Sequence, residues 1–281
     1  MIEVLAAGPL TTVQDRGRPG WAHLGVPPSG AADPQALALG NRLVGNDTGA
    51  AGLEATLSGP RLRFRAVALV ALTGAETEAS IEPNRPFEIS AGEVLELGRF
   101  LNGVRAYVSV RGGIDVEPVL GSRSTDLLSG LGPPQLREGD VLPIGREPTI
   151  SPQDVEPPAP LPVEPTLRLL PGPRDDWFAP NALAGTWRVS SSSNRVGVRL
   201  EGPPIERVRH EELLSEGVLT GALQVPRSGQ PIILLNDHPT TGGYPVLGVV
   251  HADDLPLAGQ LRPGQRLSFV VRHSGASAGT P

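Results

Sequence analysis

Asp237 and His238 stand side by side in the stretch NDHPTTGGYPV at 236–246, ahead of two threonines and a Gly-Gly step. An aspartate next to a histidine suggests an acid–base couple. Adjacent side chains on an extended chain point to opposite faces, so the spacing by itself does not make one. The hydroxyls of Thr240 and Thr241, the amides around Gly243 and the phenol of Tyr244 carry a different chemistry. Groups of that kind cradle a phosphate or a carboxylate. Glu216 and Gln224 lie upstream in the same block, SEGVLTGALQVPRSGQPIILL at 215–235. The plain alternative is a strand, a glycine turn and another strand.

Three more stretches have the same character. TTVQDRGRPGWAHLGVPPSGAADP at 11–34 sets Gln14, Asp15, Arg18, Ser29 and Asp33 among glycines and prolines. It reads as a loop offering amides and guanidinium groups to an anion, with the positive end of the helix starting at Pro34 behind it. It also reads as a surface connection ending in an N-cap. VRGGIDVEPVLGSRSTDLL at 110–128 places Arg111 ahead of Ser122, Arg123, Ser124 and Thr125. Hydroxyls around a guanidinium suit bidentate recognition of phosphate or carboxylate, and equally a capped turn. SSSNRVGVRLEG at 191–202 adds Asn194 and Arg195, either reaching a carboxylate or amide or forming a hairpin.

Composition removes whole classes of function. All 24 basic residues are arginine. Without lysine there is no Walker A loop and no Schiff base. Without cysteine there is no disulfide or thiol catalysis. The net charge of −6, with arginines scattered, argues against nucleic acid. No apolar run approaches the roughly 20 residues of a membrane span. No basic and apolar leader opens the chain, so a cytoplasmic location is expected. The five histidines lack metal-ligand spacing, so no metal site is expected. GASAG at 275–279 matches a nucleophile-elbow pattern without the strand–turn–helix setting it needs.

The elements that must position these loops are mostly strands. AVALVAL (66–72), RAYVSV (105–110), PIILL (231–235), VLGVV (246–250) and LSFVV (267–271) are short apolar runs bounded by Gly or Pro. The clearest helix is DPQALALGNRLVG, with Asp33 as N-cap, Pro34 at the first turn and Gly45 at the stop. DDWFAPNAL and HEELLSEG read as shorter helices. Residues 147–165 hold seven prolines, which marks a linker. The halves on either side match in order: VLAAGPL with LRLLPGPR, LSGPRL with LEGPPI, LREGDVL with LRPGQRL. The pattern predicts a duplicated, mostly-β (α+β) architecture with units at 1–146 and 166–273, a linker at 147–165 and a flexible tail at 274–281.

Taken together, GPLTTVQDRGRPGWAHLGVPPSGAADPQALALGNRLVGN, VALTGAE, VRGGIDVEPVLGSRSTDLL, LPGPRDDWF, SSNRVGVRLEG, the 215–245 block and LRPGQRL resemble the signature blocks of the family of 5-oxoprolinase C subunits. That family is also called KipA, allophanate hydrolase subunit 2 or biotin-dependent carboxyltransferase. The resemblance runs from about Gly8 to Phe269. It implies two cyclophilin-like β-barrel subdomains, a KipI-like protein as the B-type partner, and a lactam hydrolase as the A-type partner. ATP, with Mg, would be shared with the KipI-like partner, and 5-oxoproline would be activated for hydrolysis to L-glutamate. Other members imply a biotin-dependent carboxyl transfer to urea, or a regulator that binds KipI without catalysis. A homo-oligomer is compatible with each. By this resemblance Arg123, Asp237 and Thr241 are the catalytic residues. Gln14, Asp15, Arg18, Ser29, Asp33, Arg111, Ser122, Ser124, Thr125, Asn194, Arg195, Glu216, Gln224, Thr240, Gly243 and Tyr244 bind substrate. Relatives often carry Lys after Gly-Gly-Tyr-Pro, where this chain has Val246.

Overall fold

The structure, a computed structural model, describes residues 1–79, 81–153 and 160–272. The chain divides into two units, Met1–Leu161 and Pro162–Pro281. Part of the proline-rich stretch (154–159), His273 and the 274–281 tail with its GASAG motif lie outside the described residues.

The first unit runs β1 (Ile2–Ala6), β2 (Leu10–Gln14), α1 (Pro34–Leu43), β3 (Gly52–Thr56), β4 (Arg61–Phe64), β5 (Ala68–Thr77), β6 (Pro86–Ile89), β7 (Val94–Glu96), β8 (Phe100–Val110) and β9 (Val141–Leu142). These strands form a four-stranded sheet, ordered β7-β4-β1-β9, and a five-stranded sheet, ordered β2-β3-β8-β5-β6. Ile2, Val4, Leu62 and Phe64 from the first sheet pack with Val13, Leu53, Leu72 and Val108 from the second. Period-two alternation explains the choice. In β4, Arg61 and Arg63 face out while Leu62 and Phe64 face in. Helix α1 begins as its sequence predicts: Asp33 accepts a hydrogen bond from the Ala36 amide at 3.0 Å, and Pro34 occupies the first turn. It buries more than one stripe, with Leu37 against Tyr107 and Leu39 and Leu43 against Ala71.

The second unit runs β10 (Thr166–Pro171), β11 (Trp187–Val189), β12 (Gly197–Glu201), β13 (Glu216–Gly217), β14 (Ala222–Gln224), β15 (Ile232–Leu234), β16 (Thr241–Gly242), β17 (Val246–Val250), α2 (Leu255–Gly259) and β18 (Arg266–Val271). Seven strands close into a barrel in the order β10-β17-β14-β15-β12-β11-β18. Closure leaves no unpaired edge. Leu167, Leu169, Val198, Leu223, Ile233 and Leu267 fill the interior around the buried Trp187. Strands β13 and β16 pair separately, Glu216 with Gly242 and Gly217 with Thr241.

The mostly-β expectation therefore holds, and the second unit closes as a barrel. In the first, two sheets share one core. The repeated end segments are also used differently: β9 pairs antiparallel with β1, whereas β18 pairs parallel with β10. One local expectation fails. HEELLSEG forms no helix; it runs as irregular chain into β13. Glu216 and Gly217 take strand partners there, and Leu214 lies 88% exposed, so a helix would gain no apolar face to bury. DDWFAPNAL keeps one short 3-10 turn, Asp175–Trp177.

Candidate functional site

In the first unit Asp15 organises the polar loops. Its carboxylate accepts from the Gly17 amide at 2.7 Å, the Ser122 and Ser124 hydroxyls at 2.6 Å each, and the Arg123 amide at 2.6 Å. Its own amide donates to Ser124 Oγ at 2.9 Å. The GSRST segment is thereby fastened to the end of β2. Gln14 Nε2 donates to the Thr125 carbonyl at 3.0 Å, as does Ser29 Oγ at 3.0 Å. Arg18, 1% exposed, donates to the carbonyls of Ser124 and Val119. Gly17 is required by space and conformation. Its φ is +80°, and a Cβ there would lie 2.3 Å from the Pro28 carbonyl oxygen.

Two of the predicted arginines are engaged differently. Arg123 folds its guanidinium back onto the Val116 carbonyl at 2.7 Å and Asp115 at 2.9 Å, and stays partly accessible. Arg111 is not brought to the Asp15 cluster. It bonds Glu147 at 2.7 Å and the carbonyls of Val44, Pro148 and Ile150, so it ties the end of α1 to the start of the proline-rich stretch.

A buried network that the motif reading missed holds the start of α1. Tyr107 Oη donates to Glu54 at 2.8 Å and accepts from the Asp33 amide at 2.8 Å. Glu54 also accepts from the Ala32 amide at 2.9 Å and pairs with Arg105 at 3.5 Å. Glu54, Arg105 and Tyr107 sit inside apolar strand runs, where alternation alone cannot mark a polar side chain as buried. Burial, then the negative charges of Glu54 and Asp33, raises the phenol well above its ordinary 10.0, with Arg105 opposing. The unfolded chain loses that proton near pH 10.0 while the fold keeps it, so stability is full below this pH and declines above it. Tyr107→Phe should cost about 1–2 kcal/mol at neutral pH. It should also flatten the alkaline decline, as read by urea denaturation at several pH values.

In the second unit Arg195 and Asp237 form a two-pronged pair, Nε to Oδ2 at 2.9 Å and Nη2 to Oδ1 at 3.0 Å, with side chains 1% and 0% exposed. The Asp237 amide also donates to the Arg195 carbonyl at 3.1 Å. Asn194 takes the hairpin role: its Oδ1 accepts from the amides of Val196 at 2.9 Å and Gly197 at 3.3 Å. Asp237 and His238 make no couple through their side chains; His238 Nδ1 instead lies 2.7 Å from the Pro239 carbonyl. Burial lowers the His238 imidazole from 6.5, with the Pro239 carbonyl and Asp237 opposing. The unfolded chain gains this proton at higher pH than the fold, so stability is full above 6.5 and falls as pH drops toward the folded value. His238→Gln should therefore lessen the loss of urea midpoint between about pH 7 and pH 5.

The Gly-Gly turn follows Asp237 in the chain and is paired with β13 through Gly242. Glu216 accepts from Arg174 Nη2 at 2.7 Å, leaving Glu216 Oε1 and Arg174 Nε without partners. Gln224 Nε2 reaches the Tyr244 carbonyl at 3.4 Å. Gly242 permits this approach, since a Cβ there would sit 2.6 Å from Gln224 Nε2; a Cβ at Gly243 would make only ordinary contacts, the nearest with the Leu213 carbonyl oxygen at 3.7 Å. Val246 is 4% exposed and packs with Val218, Ala222 and Leu234.

Each unit thus sorts its predicted residues into two kinds. Asp15, Ser122, Ser124, Arg195 and Asp237 have their polar atoms engaged inside the protein. Thr241, Gly243 and Tyr244 are exposed, and Glu216, Thr240 and Arg123 are partly so. Within the second unit the accessible hydroxyls and amides can orient a small polar molecule, and within the first the Arg123 guanidinium can stabilise a negative charge. A separate 270 Å³ recess lined by Leu169, Phe178, Leu183 and Leu247 is apolar apart from Asp175 and contains none of these groups.

A family model described as the carboxyltransferase domain, subdomain A and B, matches residues 24–271. The C subunit of the 5-oxoprolinase of Escherichia coli (strain K12) is 42% identical over 282 residues, which cover 96% of this chain and 91% of that protein. The urea amidolyase of Lachancea kluyveri is 34% identical over 95% of this chain and 17% of its own length. The crystal structure of the Kluyveromyces lactis urea carboxylase matches with a TM-score of 0.91 and 34% identity, over 96% of this chain and 27% of that one. The chain spans nearly the whole of the bacterial protein and roughly a quarter or less of the two fungal enzymes. With a model matched across both units and a relative matched nearly end to end, this chain belongs to the carboxyltransferase domain family, subdomains A and B.

Proposed function

We propose that this chain is the C subunit of an ATP-dependent 5-oxoprolinase. It would act with a KipI-like partner to activate 5-oxoproline and with a lactam hydrolase that opens the ring to L-glutamate. The supporting observation is the 42% identity to a 5-oxoprolinase C subunit over almost the full length of both chains. In this reading the Thr241 hydroxyl, the amides around Gly243 and the Tyr244 phenol of the second unit position the lactam, and Arg123 is a separate anion-binding position of the first unit. The internally bonded residues hold those groups in place. Among the described residues no group of three or more His, Cys, Asp or Glu side chains is placed to hold a metal ion. Mg would therefore come with the phosphates of ATP, and the KipI-like partner would supply its remaining contacts. No described helix is long and apolar enough to cross a membrane; a cytoplasmic complex is the proposal.

The test is reconstitution. The chain alone should show no 5-oxoproline-dependent ATP turnover, and the three proteins together should. Silence from the complete set would overturn the reading. Within the active set, Thr241→Ala should lower turnover about tenfold, the effect of one lost hydrogen bond to substrate, with an unchanged melting temperature. A second reading, carboxyl transfer from biotin to urea, is favoured by the match to the urea carboxylase structure. Carboxylation of urea on adding a biotin carboxylase and a biotinyl carrier would select it.

A further inference from the structure

The second unit holds a polar cleft of about 720 Å³ beside the turn between β14 and β15. Arg207 and His210 enter from one segment, Arg227 and Ser228 from the turn, and Glu206 is the carboxylate of the lining. Arg207 Nη2 donates to the Val225 carbonyl, and its buried Nε has no partner. None of the ion pairs formed among the described residues involves Arg207. Burial lowers this guanidinium below its ordinary value, and Arg227 lowers it further, so the two cations feel one another. Arg227 is linked to Glu212 at 2.9 Å, but both side chains are more than three-quarters exposed, at 80% and 87%. Such a contact contributes little and exchanges readily.

A chain of net charge −6 therefore lines one cleft with two arginines, of which Arg207 is partly buried and forms no ion pair among the described residues. Like charges at close range repel unless an anion lies between them. We propose that this cleft is a binding site for the phosphoryl group of a small molecule, with Arg207 and Arg227 as its cationic partners. Arg207 Nη1 and the exposed fork of Arg227 are left to donate to a tetrahedral oxyanion. Ser228 Oγ accepts from the Gln230 amide at 3.3 Å, which leaves its hydroxyl proton to donate. The cleft volume exceeds that of a bare phosphate, so the remainder of the ligand has room. The inference does not depend on the proposed lactam chemistry, because it concerns binding to the chain alone.

The experiment is a titration of the full chain with sodium phosphate at constant ionic strength, followed by calorimetry and thermal shift, with acetate as control. Saturable binding of one phosphate is expected, absent with acetate. Arg227→Ala should weaken it at least tenfold and Arg207→Gln should abolish it. Arg227 is exposed and its removal leaves the fold intact, so that variant carries the test if Arg207→Gln fails to fold. A parallel titration with ATP distinguishes ligand sources. Tighter, phosphate-competitive binding assigns the cleft to a nucleotide, and equal or weaker binding assigns it to free phosphate or a smaller ester. Non-saturable behaviour with both ligands, or wild-type affinity in Arg227→Ala, would overturn the proposal.

Discussion

Asp15→Ala should destabilise the first unit by about 4 kcal/mol, because it removes the acceptor of four hydrogen bonds at once. The Gly17 and Arg123 amides and the Ser122 and Ser124 hydroxyls all converge on this carboxylate, which is 9% exposed. Single hydrogen bonds to a charged group contribute roughly 1.5–3 kcal/mol, and bonds sharing one acceptor do not add fully. Asp15→Asn keeps the shape but turns one oxygen into a donor facing donors, so it should recover less than half the loss. The measurement is urea denaturation followed through Trp21, the tryptophan of this unit, with hydrogen exchange across 119–126. A loss under about 1 kcal/mol would mean that the loop is held by other contacts. Protection should disappear from 119–126 before the strand core opens, since three of the four donors to this hub lie in that segment.

The second large effect belongs to Arg195. Arg195→Ala leaves the Asp237 carboxylate buried without its two-pronged partner, and the expected loss is about 3–5 kcal/mol. Arg195→Met with Asp237→Leu should cost clearly less than the sum of the single changes, because no charge is then stranded. Trp187, 1% exposed in the barrel, reports the unfolding of this unit. Family resemblance assigns Asp237 to catalysis. Its geometry makes it an anchor: both carboxylate oxygens meet Arg195, and the turn carrying Thr240, Thr241 and Tyr244 leaves from its C-terminal side. A double variant that folds and sustains turnover would confine Asp237 to positioning. A double variant that folds but loses all turnover while Thr241→Ala retains most would return a direct role to the carboxylate.

Much of the fold is readable in one dimension. Strands β5, β8, β15, β17 and β18 each rest on a short apolar run bounded by glycine or proline, and α1 on its Asp33-Pro34 start. Local backbone preference and periodicity decide those features, so sequence suffices. HEELLSEG shows the limit. Its composition favours a helix, yet Glu216 and Gly217 pair with β16, a segment 24 residues later in the chain. Long-range pairing outweighs local propensity, which is weak over a single turn of helix. The polar residues of the loops are likewise legible as types, but not as roles. Arg18, Arg111, Arg123, Arg195 and Arg207 carry the same chemical group, and each meets a different environment.

What the sequence by itself determined is the inventory: a mostly-β chain in two halves, lysine-free and cysteine-free, with hydroxyl-, arginine- and glycine-rich loops between strands. What only the tertiary structure decided is which of those polar groups meet each other and which still face solvent. Asp15 meets Ser122 and Ser124 across more than 100 residues of chain, and Asp237 meets Arg195 across 42. Such contacts exist because sheet and barrel registers bring distant segments together. Once formed in a low-dielectric interior, they convert groups that could bind a ligand into groups that hold the loop in place. Thr241, Gly243 and Tyr244 escape that fate because they lie exposed along and just after β16, so the Gly-Gly turn keeps its chemistry.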